Sequence, residues 1–187
     1  ELADGSQVWL NAESELRYPA RFSGDKRAVY LKGEAYFSVA TDSTRPFVVE
    51  VEGMSVRVYG TEFNVSTQQE GRVETVLVRG AVGMRHGEEE MRLEPNQLGV
   101  FVKADGSMRS QEVDVLPYVA WRTGDFVFKD ETLESIMDKL ARWYDLEVFF
   151  QNGDLRDVRL SGNLKRYKDV RELFRSFEKI SEARFSV

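Results

Sequence analysis

The sequence contains no cysteine and a single histidine, His86, in 187 residues. The lack of cysteine excludes disulfides, thiolate metal sites and cysteine nucleophiles. One imidazole provides neither an HExxH zinc motif nor a Ser-His-Asp triad. His86 precedes Gly87 at a predicted hairpin tip, which favours a surface turn residue over a ligand. We therefore expect no metal, no cofactor and no enzymatic activity.

A basic excess is also missing, because 26 Lys and Arg face 32 Asp and Glu, for a net charge of -6. This balance argues against a nucleic-acid partner. No phosphate-binding GxxxxGK[ST] loop occurs, no apolar run approaches the ~20 residues that span a bilayer, and no signal peptide is recognisable. We interpret the chain as a fragment of a longer protein, in which any membrane anchor would lie upstream.

The most informative stretch is residues 29–65, where small or aliphatic side chains alternate with polar ones between Gly and Pro. A period of two is that of a pleated strand with one face inward. Gly33 interrupts the first run, which predicts a β-bulge or a close backbone approach. The residues predicted to face inward in that run are Val29, Leu31, Ala35, Phe37 and Val39.

The pattern divides the chain into two parts. Residues 1–112 contain many short strands, frequent Gly turns and no convincing helix, which predicts an all-β domain: a sandwich, a barrel or a short β-solenoid. Residues 113–124 are predicted to be a linker. Residues 125–187 are predicted to form a small α+β domain.

Residues 125–187 contain two copies of a strand-helix-strand unit, which predicts two helices on one face of a small sheet. Asp130 is the predicted N-cap of the first helix, and Asp169 with Glu172 is an N-capping pair for the second. The predicted elements are a strand at 125–128, a helix at 131–144, strands at 146–150 and 158–161, a helix at 169–181 and a last strand beginning at Ala183.

Four strings in the first part, in this order and spacing, resemble the periplasmic domain of FecR-like transmembrane anti-sigma regulators. One departure is Arg79 in VLVRGAV, where the family usually has an acidic residue. The strings are LADGSQVWLNAESELRYP at 2–19, GEAYFSVA at 33–40, RPFVV at 45–49 and VYGTEFNV at 58–65.

The second part resembles the C-terminal half of FecR-like regulators from Bacteroidota, on GDFVF at 124–128, RWYD at 142–145 and LSG at 160–162. That half is related to the short signalling (STN) domain of secretins and TonB-dependent transporters. On this resemblance we expect the last strand to pair with residues beyond Val187.

The resemblance implies a non-enzymatic relay, the periplasmic part of an inner-membrane anti-sigma regulator. It would contact the signalling domain of a TonB-dependent outer-membrane transporter. Through a cytoplasmic segment it would control an extracytoplasmic-function sigma factor. We predict partner binding at Trp143, which lies one position off the apolar stripe of its helix, and at Glu147 and Phe149, on the face of their strand opposite Leu146.

Two alternatives remain open from the residues alone. The first is a periplasmic carbohydrate-binding module, in which aromatic side chains would meet sugar rings: Trp9, Trp121, Trp143 and Tyr144. The second is a hydrolase, which we rank last because a raised carboxyl pKa needs burial and these segments are polar. Its candidate acids are Glu13 with Glu15, Glu88 to Glu90, and Asp125 with Asp130.

Overall fold

The computed structural model describes residues 1–165, 169–181 and 183–186. They separate into two compact units, Glu1–Val119 (unit 1) and Ala120–Val187 (unit 2). The change from one unit to the other falls inside the segment 113–124. The predicted combination of an all-β part and a small α+β part is confirmed.

Unit 1 contains twelve short strands. Glycine or polar turns connect most of them, as the sequence pattern predicts. In chain order the strands are β1 (Gln7–Leu10), β2 (Glu15–Arg17), β3 (Arg27–Lys32), β4 (Glu34–Ser38), β5 (Phe47–Val51), β6 (Met54–Val58), β7 (Glu62–Ser66), β8 (Arg72–Arg79), β9 (Val82–His86), β10 (Glu89–Leu93), β11 (Gln97–Val102) and β12 (Met108–Glu112).

The strands form two six-stranded sheets, sheet A with the order β1-β4-β7-β8-β11-β12 and sheet B with the order β10-β9-β6-β5-β3-β2. Neighbouring strands are antiparallel except β3 and β5, which are parallel. Inward side chains of both sheets share one core, which is the arrangement of a sandwich. The residues predicted to face inward from 29 to 39 all belong to this core.

Gly33 lies where the chain leaves sheet B and enters sheet A. Its φ is +91°, and a Cβ there would lie 2.8 Å from the Cα of Ser14. The predicted close backbone approach is confirmed. Only glycine combines a positive φ with so little space.

The segment 113–119 packs on the outer face of sheet A. It contains α1 (Leu116–Val119), a single helical turn. Its apolar side chains cover a small cluster on β8 and β11, separate from the main core. The cluster consists of Val76, Leu98 and Val100, with Val102, Val113, Val115 and Tyr118 packed against it.

In its described residues, unit 2 combines one two-stranded sheet with two longer helices. Residues Ala120–Thr123 and Gly153–Asp157 form 3-10 turns. The main elements are β13 (Asp125–Thr132), α2 (Leu133–Tyr144), β14 (Arg159–Lys165) and α3 (Val170–Ile180). β13 and β14 are antiparallel.

The core of unit 2 is built from the apolar stripes of the two helices and the inward face of β13. Phe128 and Phe177 are its largest fully buried side chains, with ring centroids 5.5 Å apart. The predicted stripes are buried except for Tyr144, which is half-buried; the side chain of Ile180 lies outside the described residues. The helix residues are Leu133, Ile136, Met137, Leu140, Val170, Leu173, Phe174 and Phe177.

The predicted N-cap of α2 is wrong. Thr132, not Asp130, is the cap, and its side chain accepts a hydrogen bond from the Ser135 amide at 3.3 Å. β13 continues through Glu131 and Thr132 because both residues pair with β14, after a register shift that leaves Asp130 at a φ of 48°. Asp169 is confirmed as the N-cap of α3.

The predicted strand at 146–150 is not formed, and the pairing of the last strand with residues beyond Val187 stays a prediction. Residues 146–150 belong to no sheet in the described part of the chain, although their burial alternates as predicted. Residues 183–186 likewise have no sheet partner among the described residues, and Val187 lies outside them. The alternation reflects packing against the core of unit 2 rather than pairing with another strand.

Candidate interaction surfaces

His86 ends β9 and is held by local contacts. Its Nδ1 lies 2.9 Å from the carbonyl oxygen of Gly53, and its ring lies 4.8 Å from that of Phe101. Among the described residues, no group of three or more His, Asp and Glu side chains is placed to hold a metal ion. The geometry around His86 is that of a structural turn residue.

Two of the candidate carboxylates, Glu15 and Asp125, accept hydrogen bonds from basic neighbours. A hydrogen bond from Arg17 lowers the pKa of Glu15. Hydrogen bonds from Lys165 and then Thr123 lower the pKa of Asp125. A general acid needs the opposite shift, so these residues lack the environment that acid catalysis requires.

Asp138, on α2, has a raised pKa, and sequence reasoning missed it. The residue is exposed, but partial desolvation of its carboxyl raises the pKa, while the charge of Arg142 opposes that effect and the charge of Glu134 adds to it. Glu134 is itself paired with Arg156. The two acids are one helical turn apart, but a catalytic pair would need both carboxyls available to substrate.

The candidate aromatic residues do not form an exposed platform. Trp9, Trp121, Trp143 and Tyr144 are all half-buried. Trp9 packs edge-on against Tyr36 with ring centroids 5.7 Å apart, and Trp143 packs edge-on against Phe126 at 5.4 Å. These contacts are typical of core packing.

The segment 146–150 presents the clearest exposed feature of unit 2. Asp145, in the left-handed conformation at φ 54°, ends α2 and redirects the chain. Beyond it, Leu146, Val148 and Phe150 pack against the core. Glu147 and Phe149 point the other way, and the Phe149 side chain is 83% exposed.

The structure therefore brings two of the three predicted partner-binding residues together. Glu147 and Phe149 share one exposed face of the segment 146–150. Trp143 is half-buried against Phe126 and does not share their exposure. Trp143 instead packs against the core of unit 2 next to the segment 146–150.

Family models match the chain in both units. Residues 1–83 match the model of the FecR protein family, and residues 125–187 match the model for the FecR C-terminal region. Both units of the chain thus match FecR models. No match was found among curated proteins.

Two solved structures of a candidate anti-sigma factor from Parabacteroides distasonis ATCC 8503 are similar to the whole chain. Each is 28% identical in sequence and covers 100% of this chain. The structure at 1.65 Å resolution has a TM-score of 0.86 with 88% of its own chain covered. The structure at 2.50 Å has a TM-score of 0.85 with 87% covered. Together with the FecR matches, they support an anti-sigma regulator.

The FecR-matched part of unit 1 contains a buried ion pair that sequence reasoning missed. The Nη1 of Arg27, a side chain only 1% exposed, lies 2.7 Å from Oδ2 of Asp4. It also donates to the carbonyl oxygen of Ala40 at 2.9 Å. The available signal was an arginine at an inward parity position of β3, in phase with Val29 and Leu31.

Polar residues of the FecR strings also meet across strands of sheet A. Glu34 accepts hydrogen bonds from the Nδ2 atoms of Asn11 at 2.6 Å and Asn64 at 2.8 Å. Arg79, at the position where the family usually has an acid, donates to Glu62 at 2.8 Å. These contacts join neighbouring strands and so have a structural role.

No helix in the described part of the chain has both the length and the apolarity needed to cross a bilayer.

Proposed function

We propose that the chain is the periplasmic relay of an inner-membrane anti-sigma regulator. It contacts the signalling domain of a TonB-dependent outer-membrane transporter, and it controls an extracytoplasmic-function sigma factor through a cytoplasmic segment. Its second domain, residues 125–187, is of the STN-like type. It works by binding and not by catalysis.

The observation that carries this proposal is the exposed face of the segment 146–150. Phe149 is 83% exposed beside Glu147, within the region matched by the FecR C-terminal model. One exposed aromatic ring alone would be ordinary. Here it lies on an extended segment outside any sheet of the described chain, where a partner can cover the ring and pair with the backbone.

Signal transmission requires that the partner prefer one conformation of the regulator. A strand added beside residues 146–150 would fix a segment that belongs to no sheet in the described part of the chain. The segment directly follows α2, and the amide of Leu146 donates to the carbonyl oxygen of Ala141 at 3.0 Å. Partner binding at this segment would therefore also restrain the end of α2.

The test is calorimetric titration with the purified signalling domain of the transporter encoded beside this protein. We expect saturable one-to-one binding in the micromolar range or tighter, about -8 kcal/mol or better. Phe149→Ala should weaken it by about tenfold or more, because truncating a central aromatic contact typically costs over 1 kcal/mol. Glu147→Gln should weaken it less.

A matched control is Tyr18→Ala, which removes an aromatic side chain 51% exposed in unit 1. It should leave the affinity unchanged. If titration shows no heat and the two proteins do not co-elute, the transporter contact is contradicted. If Phe149→Ala and Tyr18→Ala lower the affinity equally, Phe149 is not part of the contact. Unchanged sigma activity after deletion of the domain would contradict the regulatory role.

A further inference from the structure

The outer face of sheet B carries an open groove of about 590 Å³. Side chains from β3, β5, β6 and β9, and from the turns beside them, line it. The volume is within the range of small-molecule sites. The groove lies in unit 1, whereas the segment 146–150 belongs to unit 2.

Strand register explains why a depression forms there. One row across the sheet pairs Tyr30 with Glu50, Glu50 with Ser55, and Ser55 with Arg85. The short side chain of Ser55 therefore lies between longer neighbours. The next row pairs Val48 with Arg57 and Arg57 with Gly83. The carboxylate of Glu90 reaches over Gly83, so the groove extends over Ser55 and not over Gly83.

The same registers make Arg57 and Arg85 diagonal neighbours on adjacent strands. Such positions are roughly 7–8 Å apart at the backbone, within reach of long side chains. The Nε of Arg85 donates to the carbonyl oxygen of Gly87 at 3.0 Å, which orients its guanidinium group. Both arginine side chains line the same groove.

The charge of the groove is unusual for a chain with a net charge of -6. Lys26 is paired with Glu50 at 3.1 Å, and Glu52 is paired with Lys103. Within the described residues, neither Arg57 nor Arg85 forms an ion pair with a carboxylate. The groove therefore holds two guanidinium groups that are not engaged in an ion pair, although Glu90 lies opposite Arg85 on β10.

We propose that this groove binds a small organic oxyanion, with its carboxylate or phosphate held between Arg57 and Arg85 and its body lying on the ring of Tyr30. Planar guanidinium groups bind such oxygens in bidentate fashion. Tyr30 is 58% exposed, so its ring offers an apolar face next to the charged end. The hydroxyl of Ser55 and the carboxylate of Glu50 lie between them and can bind polar groups of the ligand.

The test is calorimetric titration of the whole chain with four probes. Trigalacturonate carries carboxylates on a sugar ring, glucose 6-phosphate carries a phosphate on one, maltotriose is neutral, and hexaglutamate is an acidic peptide. We expect one of the two acidic sugars to bind, maltotriose not to bind, and hexaglutamate to bind more weakly. Whichever acidic sugar binds more tightly identifies the anionic group.

Variants of exposed residues connect the binding to the groove. Arg57→Gln and Arg85→Gln should each weaken it by about tenfold, equal to about 1.4 kcal/mol. Tyr30→Ala should weaken it several-fold. Arg109→Gln is the matched control, because it removes the same charge from an exposed position of β12 in the other sheet. It should have no effect.

Three results would overturn the proposal. One is the absence of binding for both acidic sugars. Another is an equal effect of Arg109→Gln and Arg57→Gln, which would show attraction to charge in general. The third is tighter binding of hexaglutamate than of either sugar, which would make the groove a docking surface for an acidic protein segment.

Discussion

In unit 1 the alternating segments between residues 29 and 65 are all strands of six-stranded sheets. The described residues of unit 2 form one two-stranded sheet and two longer helices. A two-stranded sheet alone is marginal and needs helices packed against it. Unit 2 obtains this support from Phe128 and Phe177. The segments 146–150 and 183–186 remain outside its sheet.

This difference indicates which part of each unit a ligand or partner can contact. In unit 1 the alternating segments are paired within the sheets, so a ligand at the groove meets side chains on an outer face. In unit 2 an extended segment keeps its backbone outside a sheet, so a partner can pair with it. Stability is expected to depend on the buried interior in unit 1 and on helix packing and capping in unit 2.

The largest loss is expected from Asp4→Asn in unit 1. The change leaves Arg27, 1% exposed, as a buried cation without its counter-charge. Breaking such a pair costs about 3 to 5 kcal/mol. The free energy of unfolding in urea, with amide exchange of β3 as the local probe, measures this loss.

The control removes both charges. In Asp4→Asn with Arg27→Met no buried cation is left, so the double variant should recover at least half of the loss. If Asp4→Asn alone costs less than about 1 kcal/mol, the pair behaves as an exposed one. The interior of unit 1 would then not depend on it.

The same pair predicts how stability depends on pH. Burial raises the pKa of Asp4, but hydrogen bonds from Ser6 and Arg27 outweigh it, so the pKa lies below its ordinary value of 3.8. A carboxyl with a depressed folded pKa stabilises fully above the unfolded value, and this contribution is lost as pH falls through the folded value. The difference between wild type and Asp4→Asn should therefore shrink below pH 3.8. A stability difference between wild type and Asp4→Asn that does not change with pH would contradict this prediction.

The second-largest loss of unfolding free energy, about 2 to 4 kcal/mol, is expected for Gly33→Ala. It adds backbone strain at φ +91° and a contact of 2.8 Å with the Cα of Ser14, which cannot move easily. Gly71→Ala is the control, because its φ of +77° is similar but no atom lies within 4 Å of the added Cβ. It should cost about 1 kcal/mol. Equal losses of stability in Gly33→Ala and Gly71→Ala would mean that Ser14 can move to accommodate the added Cβ.

Alternation in the sequence predicts which residues are buried, but not which sheet they enter. The parity from Val29 to Val39 is correct in both β3 and β4. Yet Gly33 takes the chain from one sheet to the other, because the same period of two fits either sheet. The groove around Arg57 and Arg85 was missed for the same reason, since it depends on registers between distant strands.

In unit 2 the sequence predicts the helices well and the surrounding strands less well. The period of 3.6 is contained within one segment, whereas a strand also needs a partner from elsewhere in the chain. Leu146 to Phe150 has the right alternation but no partner in the described chain. Phe149 is exposed as its parity predicts, but the half-burial of Trp143 depends on Phe126, which lies in another element.

The smallest expected changes in stability concern the N-cap of α2, and they distinguish the predicted cap, Asp130, from the observed cap, Thr132. Thr132→Ala removes the hydrogen bond from the Ser135 amide to the threonine hydroxyl and should cost about 1 kcal/mol. Asp130→Gly should change the stability of unit 2 by less than about 0.5 kcal/mol. It relieves a φ of 48° but removes an exposed ion pair with Arg159 at 3.2 Å.

Amide exchange in the first turn of α2 distinguishes the two residues. With Thr132 as the cap, protection of the amide of Ser135 should fall in Thr132→Ala and stay unchanged in Asp130→Gly. The opposite result would place the start of α2 at Glu131, where the local sequence alone puts it. The pairing of Glu131 with Leu160 would then be too weak to hold the end of β13 in the sheet. Unit 2 would then have even less strand pairing, relative to unit 1, than its two-stranded sheet indicates.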